Sequence, residues 1–178
     1  MIARSRLAAA QREVDDALTR LRHQGVTIPS PWNARALCDD LAALRRRPIH
    51  LVPGSRFGWW FDHLWIAGDR ADHIVWADRS SPVHQRHGIL HELGHLVLGH
   101  TGLAVEPGSD LAALRPRLGY DTRDEVEAEC FATTAGLIAE TRPGQDTGTL
   151  TLVDLTPADL AAADRLAAMM GVEAVTRG

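Results

Sequence analysis

The chain has 178 residues, of which 45% are hydrophobic and 24% charged, and its formal net charge is −4. That length and composition suit one domain with a genuine core and exclude a disordered chain. All 19 basic residues are arginine, against 23 acidic ones, so no strong basic field invites nucleic acid.

Met1 to Leu7 carries no secretory hydrophobic region. Residues about 5 to 24 read as a charged helix with a stripe of Leu7, Val14, Leu18 and Leu21, ending near Gly25. A linker through Pro31 follows, with Ser30-Pro31 expected to open a second helix over about Trp32 to Arg46. Arg45, Arg46 and Arg47 read as a solvated helix end, where cations are favoured. Ile49–Val52, Gly58–Ile66 and His73–Ala77 read as three short strands. Trp59 and Trp60 cannot share a face of one regular strand, so one of them is expected exposed or in a cleft. His63 and His73 receive no role.

Ser81-Pro82 is an N-cap and first-turn pair that starts a helix. A loop from Gly102 to Asp110, a short helix over Leu111–Leu114, an acidic helix over about Asp124 to Ile138 and a polar loop at 142–149 come next. Thr156-Pro157 opens a last helix ending near Gly171. No apolar run has the length of a membrane span, so the expected location is cytoplasmic. Cys38 and Cys130 imply no disulfide framework, and Cys130 reads as a small buried residue.

The chemistry is concentrated in His91-Glu92-Leu93-Gly94-His95. At about 100° per helical residue, His91 and His95 stand about 40° apart and one turn removed. They can grip one metal ion from one helix face, with Glu92 beside that face as a general base. The pattern points to zinc-dependent hydrolysis, most often of peptide bonds. An amphipathic helix with two surface histidines is the bland alternative.

A catalytic zinc usually takes a third protein ligand. His100 fails that test on geometry, since it lies nine residues past His91 and about 180° around the helix. It reads instead as a helix-ending residue beside Gly99. The longer H-E-x-x-H-x-x-G-x-x-H pattern is broken by Leu98 and Thr101. His87 is a rim residue or a plain surface histidine. The better source is the stretch Asp121 to Ala132. Thr122 reads as its N-cap with Glu125 three residues on, and Val126, Cys130 and Phe131 as its inward residues. Glu125 and Glu129 share a face, whereas Glu127 points roughly the opposite way, away from a metal. A carboxylate from this helix completes a His-His-Glu set, and Glu129 can reach the outer nitrogen of a ligand histidine. A solvated acidic helix remains the alternative.

Together, Arg86 to His100 and Glu125-Val126-Glu127-Ala128-Glu129-Cys130-Phe131-Ala132 resemble the ImmA/IrrE family of metallopeptidases. Gly58–Phe61 and His73–Ala77 resemble that family's sheet, and the likeness spans about residues 30 to 140. It implies metal-ligand roles for His91, His95 and Glu125, and a general-base role for Glu92. The chain departs from the family pattern at Glu129, where Asn or Asp is usual, and after Ala132, where Met-Pro is missing.

The expected architecture is thus α+β. It is one minimal zincin-like domain over residues 1–178, a three-stranded sheet packed on helices. Within it, 1–28 form an N-terminal helix and linker, 30–140 the family-like core, and 141–178 a C-terminal loop and helix. The expected function is a gluzincin-like zinc endopeptidase. The resemblance implies a protein substrate, such as a helix-turn-helix repressor or an antitoxin. Mn²⁺ and Fe²⁺ suit the same ligands. A zinc-bound module that binds such a regulator without cutting it is the alternative. Direct nucleic-acid binding is disfavoured by charge and by the lack of a recognition motif.

Overall fold

The structure, a computed structural model, describes residues 2–57, 63–104, 122–140 and 155–169. The expected roles of Trp59 and Trp60, the helix over 111–114 and the loop at 142–149 fall outside those residues. The architecture is α+β, as the patterning predicts. Its elements are α1 (Ile2–His23), α2 (Ala34–Arg45), β1 (Ile49–Pro53), β2 (His63–Ala67), β3 (Asp72–Trp76), α3 (Pro82–Leu98), α4 (Thr122–Ala139) and α5 (Pro157–Met169). No helix of the described residues is long and apolar enough to cross a membrane.

The sheet is mixed, in the order β1-β3-β2, with β1 parallel and β2 antiparallel to β3. Alternate side chains point to opposite faces of a strand. Leu51, Ile74, Trp76 and Trp65 therefore join one core with residues of α1 to α4. Val52, Val75, Leu64 and Ile66 join a second with Ala163, Leu166 and Ala167 of α5. Because both faces are covered, the strands read as nearly continuous apolar runs.

Local signals account for most helix ends. Ser81 caps α3, accepting from His84 N, and Gly99 ends it at φ 79. Gly25, at φ 84, follows α1. In α1, Val14, Leu18 and Leu21 are buried as the stripe predicts, but Leu7 is exposed. Asn33, not Ser30-Pro31, caps α2, accepting from Ala36 N at 2.9 Å. The α4 helix already includes Thr122, and the cap expected from its side chain lies outside what is described. Val126 is exposed, contrary to its expected inward position, whereas Cys130 and Phe131 are buried. Both cysteines are free.

The arginine run is not simply a solvated end. Arg46 adopts a left-handed conformation that closes α2. Arg45 Nη2 and Arg47 Nε donate to one oxygen of buried Asp72 at 2.9 and 3.0 Å. Trp65 Nε1 donates to the other at 3.1 Å. The run thus ties α2 to the sheet through a carboxylate taken from water, which needs such partners.

Asp159 holds α5 in a similar way. Thr156 and Asp159 exchange hydrogen bonds as a capping pair, Thr156 N to Asp159 Oδ2 at 2.8 Å and Asp159 N to Thr156 Oγ1 at 3.2 Å. Arg35 Nη2 donates to Asp159 Oδ2 at 2.8 Å, and Leu51 N to Oδ1 at 3.1 Å. Burial by itself raises this carboxyl, but bonds from His50 and Thr156 and the Arg35 charge hold it at about 2, against 3.8. A carboxyl depressed on folding stabilises the fold above its unfolded value, and that contribution is lost as pH falls from about 4 toward 2. Asp159→Ala leaves Leu51 N–H and Arg35 without this acceptor. A destabilisation of about 2 kcal/mol is expected, measured by denaturant melts at neutral pH. The mutant should also lose the wild-type chain's change in stability between pH 4 and 2 that this group supplies.

Candidate metal centre

The site lies where α3 crosses α4. Gly94 makes the crossing close. A Cβ there would stand 3.1 Å from Phe131 Cβ and 3.3 Å from Ala128 Cα. With only hydrogen facing Ala128, α4 approaches near enough for its first-turn carboxylates to meet the histidines of α3. Leu90, Leu93, Phe131 and Ala135 are fully buried around this crossing. Each of the larger side chains contributes about 1.5–3 kcal/mol through burial.

His91 Nε2 and His95 Nε2 are 3.1 Å apart. Glu125 Oε2 lies 3.4 Å from the former and Oε1 3.7 Å from the latter. Ligand atoms about 2.0–2.1 Å from a tetrahedral zinc stand about 3.3–3.4 Å from one another. The three side chains therefore offer donors at the spacing of one ion, two imidazole nitrogens and a carboxylate oxygen. His95 is fully buried, and burial, then the neighbouring rings of His91 and His100, push it down to about 3. It is held neutral, the state a ligand histidine requires.

Glu92 is 5% exposed and turns toward the sheet. Its Oε2 accepts from Trp65 N of β2 at 2.8 Å. Burial pushes its carboxyl up to about 8; the Trp65 N–H opposes this and the Glu125 charge adds to it. A divalent cation among the ligands would pull it back down. Glu92 makes no part of the three-donor cluster, as its expected role requires.

Glu129 is half-exposed, with Oε2 3.1 Å from His87 Nε2 and 3.5 Å from His91 Nδ1. His87 thus contacts Glu129 at the rim, and Glu129 stands near the outer nitrogen of His91 without a hydrogen bond to it. Glu129→Ala should weaken zinc binding by about 10-fold, measured by competition with a chromophoric chelator. An unchanged affinity would assign Glu129 to the solvated face.

Two sequence expectations need additions here. Glu127 does lie on the opposite side of α4 from Glu125, away from the three-donor cluster, but that side is buried: Glu127 is 6% exposed and accepts from Arg123 Nε at 2.6 Å. Its other oxygen, Oε2, is 3.1 Å from His100 Nε2. His100 is outside the ligand cluster, but it is more than a helix-ending residue, since its Nδ1 lies 2.9 Å from His95 Nδ1. Both surprises share a cause. The α4 stripe that meets α3 runs through Ala128, Phe131 and Ala135, and Glu125 and Glu127 flank it on opposite sides. One reaches the front of the histidines and the other their back. The alternation of carboxylates at 125, 127 and 129 beside an apolar stripe was the only available signal.

Gln85 and Arg86, on the first turns of α3, also engage neighbours. Gln85 Nε2 donates to Ser80 O at 2.9 Å, and Arg86 pairs with Glu140 at the end of α4. Arg86 thus braces the two helices at the end opposite His100, and Gln85 ties α3 to the loop that precedes it. Set against known proteins, the chain matches no family model, no curated protein and no solved structure.

Proposed function

We propose that this chain is a zinc-dependent peptidase with a minimal zincin-like architecture. The observation that carries the reading is the convergence of His91, His95 and Glu125 at tetrahedral donor spacing, with the Glu92 carboxylate on the adjoining helical position. A divalent cation held by those three residues would supply Lewis acidity that polarises a peptide carbonyl and makes water easier to deprotonate for attack on it. Glu92 takes the proton from the attacking water and delivers it to the amine as the C–N bond breaks. Trp65 N–H fixes the Glu92 side chain by one oxygen, leaving the other for that transfer. The substrate class is a peptide bond in a protein. The resemblance of the motifs to ImmA/IrrE metallopeptidases makes a repressor or an antitoxin the first candidate, and a direct nucleic-acid role is not part of the proposal.

One observation favours a second reading, a zinc-bound module that binds such a regulator without cutting it. Glu92 is buried and turned toward the sheet, where Trp65 N–H holds one of its oxygens at 2.8 Å. A carboxylate tied into the fold in this way has a structural role that needs no catalysis. The test is metal dependence of hydrolysis. The purified chain, incubated with candidate regulators and a diverse peptide mixture, should cleave when loaded with zinc. It should stop when zinc is chelated and resume when zinc is restored. Zinc uptake and regulator binding without any cleavage would select the non-cleaving module.

A further inference from the structure

We propose that His100 and Glu127 are positioning residues that dictate which nitrogen of His95 carries its proton, and so prepare His95 to ligate metal. The inference rests on the metal-centre reading above and adds a specific device to it.

The geometry begins with the end of α3. Gly99 sits at φ 79, and both Gly99 N and His100 N donate to His95 O, the latter at 3.0 Å. Such a left-handed turn reverses the chain onto the last helical turn. It lays the His100 ring beside that of His95, with centroids 5.0 Å apart. His100 Nδ1 then faces His95 Nδ1 at 2.9 Å, and His100 Nε2 faces Glu127 Oε2 at 3.1 Å. The His100 and Glu127 side chains are each only 7% exposed, so water does not readily replace either contact. Arg123 Nε donates to the remaining oxygen of Glu127 at 2.6 Å, which keeps that carboxylate charged and in place.

With His100 neutral, the direction of each hydrogen bond follows from the end of the chain. An ionised carboxylate only accepts. His100 Nε2 must therefore carry the proton it shares with Glu127. A neutral imidazole with its proton on Nε2 has its lone pair on Nδ1, so His100 Nδ1 accepts from His95 Nδ1. His95 then has its own lone pair on Nε2. That is the atom 3.1 Å from His91 Nε2 and 3.7 Å from Glu125 Oε1. Glu127 thus sets the tautomer of His95 from two hydrogen bonds away. The usual arrangement places a carboxylate or carbonyl directly on the outer nitrogen of a ligand histidine. Here a second histidine is interposed.

His100, Asp124 and Glu127 also lie close enough to be considered an ion site of their own, with Asp124 Oδ1 3.7 Å from His100 Nε2. Two features favour the relay. Glu127 already receives the Arg123 guanidinium, and a His100 Nε2 that donates to Glu127 has no lone pair there for a metal.

Three measurements test the relay. Nitrogen-15 NMR of the metal-free wild-type chain should show His95 protonated on Nδ1 and His100 on Nε2. The reverse assignment at His95 overturns the proposal without any variant. Chelator competition should then show a zinc affinity at least about 10-fold weaker in His100→Leu and in Glu127→Ala, with no further loss in the double variant. His100→Gln should recover most of the loss, since its amide can accept from His95 and donate to Glu127. Wild-type affinity in a folded His100→Leu overturns the relay. So does an equal loss in His100→Leu and His100→Gln, or uptake of two zinc ions by wild type. A wild-type chain that takes up no zinc overturns the metal-centre reading itself.

Discussion

Replacing any one of His91, His95 or Glu125 by alanine should lower zinc affinity roughly 100- to 1000-fold. Structural zinc in small peptides is worth about 10–16 kcal/mol over four ligands, or about 2.5–4 kcal/mol for each. At about 1.4 kcal/mol per factor of ten, that share corresponds to the stated range. The wild-type chain should bind one zinc, and the three variants should lose it during purification. His95→Ala should lose most, because its ring is the most buried and is backed by His100. Glu125→Ala should lose least, because Glu125 is 42% exposed and an introduced water can partly replace its oxygen. Full zinc content in Glu125→Ala would reject the third ligand, and Asp121 or Asp124 would take its place as candidates. Metal analysis after dialysis reads all three outcomes.

Glu92→Gln should keep zinc and partner binding but lose cleavage by at least about 100-fold. The substitution preserves shape and an acceptor oxygen for Trp65 N–H, so the link between α3 and β2 survives. It removes the group that can take and return a proton. Glu92→Ala is the poorer test, since it leaves Trp65 N–H buried without its acceptor and costs stability as well. Cleavage by Glu92→Gln at the wild-type rate would show that the general-base role is wrong. The same pair of proteins separates the two functional readings, because a module that only binds is indifferent to the substitution.

Much of the site was legible because it is local. His91, Glu92 and His95 lie within two turns of one helix, and helical spacing alone puts the two imidazoles on one face. The ends of α3 were equally plain, since Ser81, Pro82 and Gly99 each have a short-range reason to stop or start a helix. The sheet was harder. The run from Gly58 to Ile66 was read as one strand; 58–62 lie outside the described residues, and the rest of it is β2, which continues to Ala67. In that strand Leu64, Trp65 and Ile66 are all buried, so polar alternation does not mark its end. The arginines after α2 were misread for a different reason. Their partner, Asp72, is 25 to 27 residues away and carries no local sign of being buried.

His100 shows most clearly where helical arithmetic stops. Counting about 100° per residue puts it behind His91, but the count holds only while the backbone remains helical. At Gly99 the chain turns left-handed and brings His100 back against His95. Glu127 was judged by its angle from Glu125, which is right as an angle and silent about what lies on that side. The sequence by itself determined the α+β class, the limits of α3 and the pairing of His91, Glu92 and His95, because periodicity and capping act over a few residues. Only the tertiary structure decided which carboxylate meets which histidine. That depends on how closely α3 and α4 approach at Gly94 and Ala128, a packing contact between segments 34 positions apart. It also decided that Glu92 is tied to β2 and that His95 is backed by a histidine and a carboxylate, because burial of those polar groups leaves them no solvent partner and forces them to pair with one another.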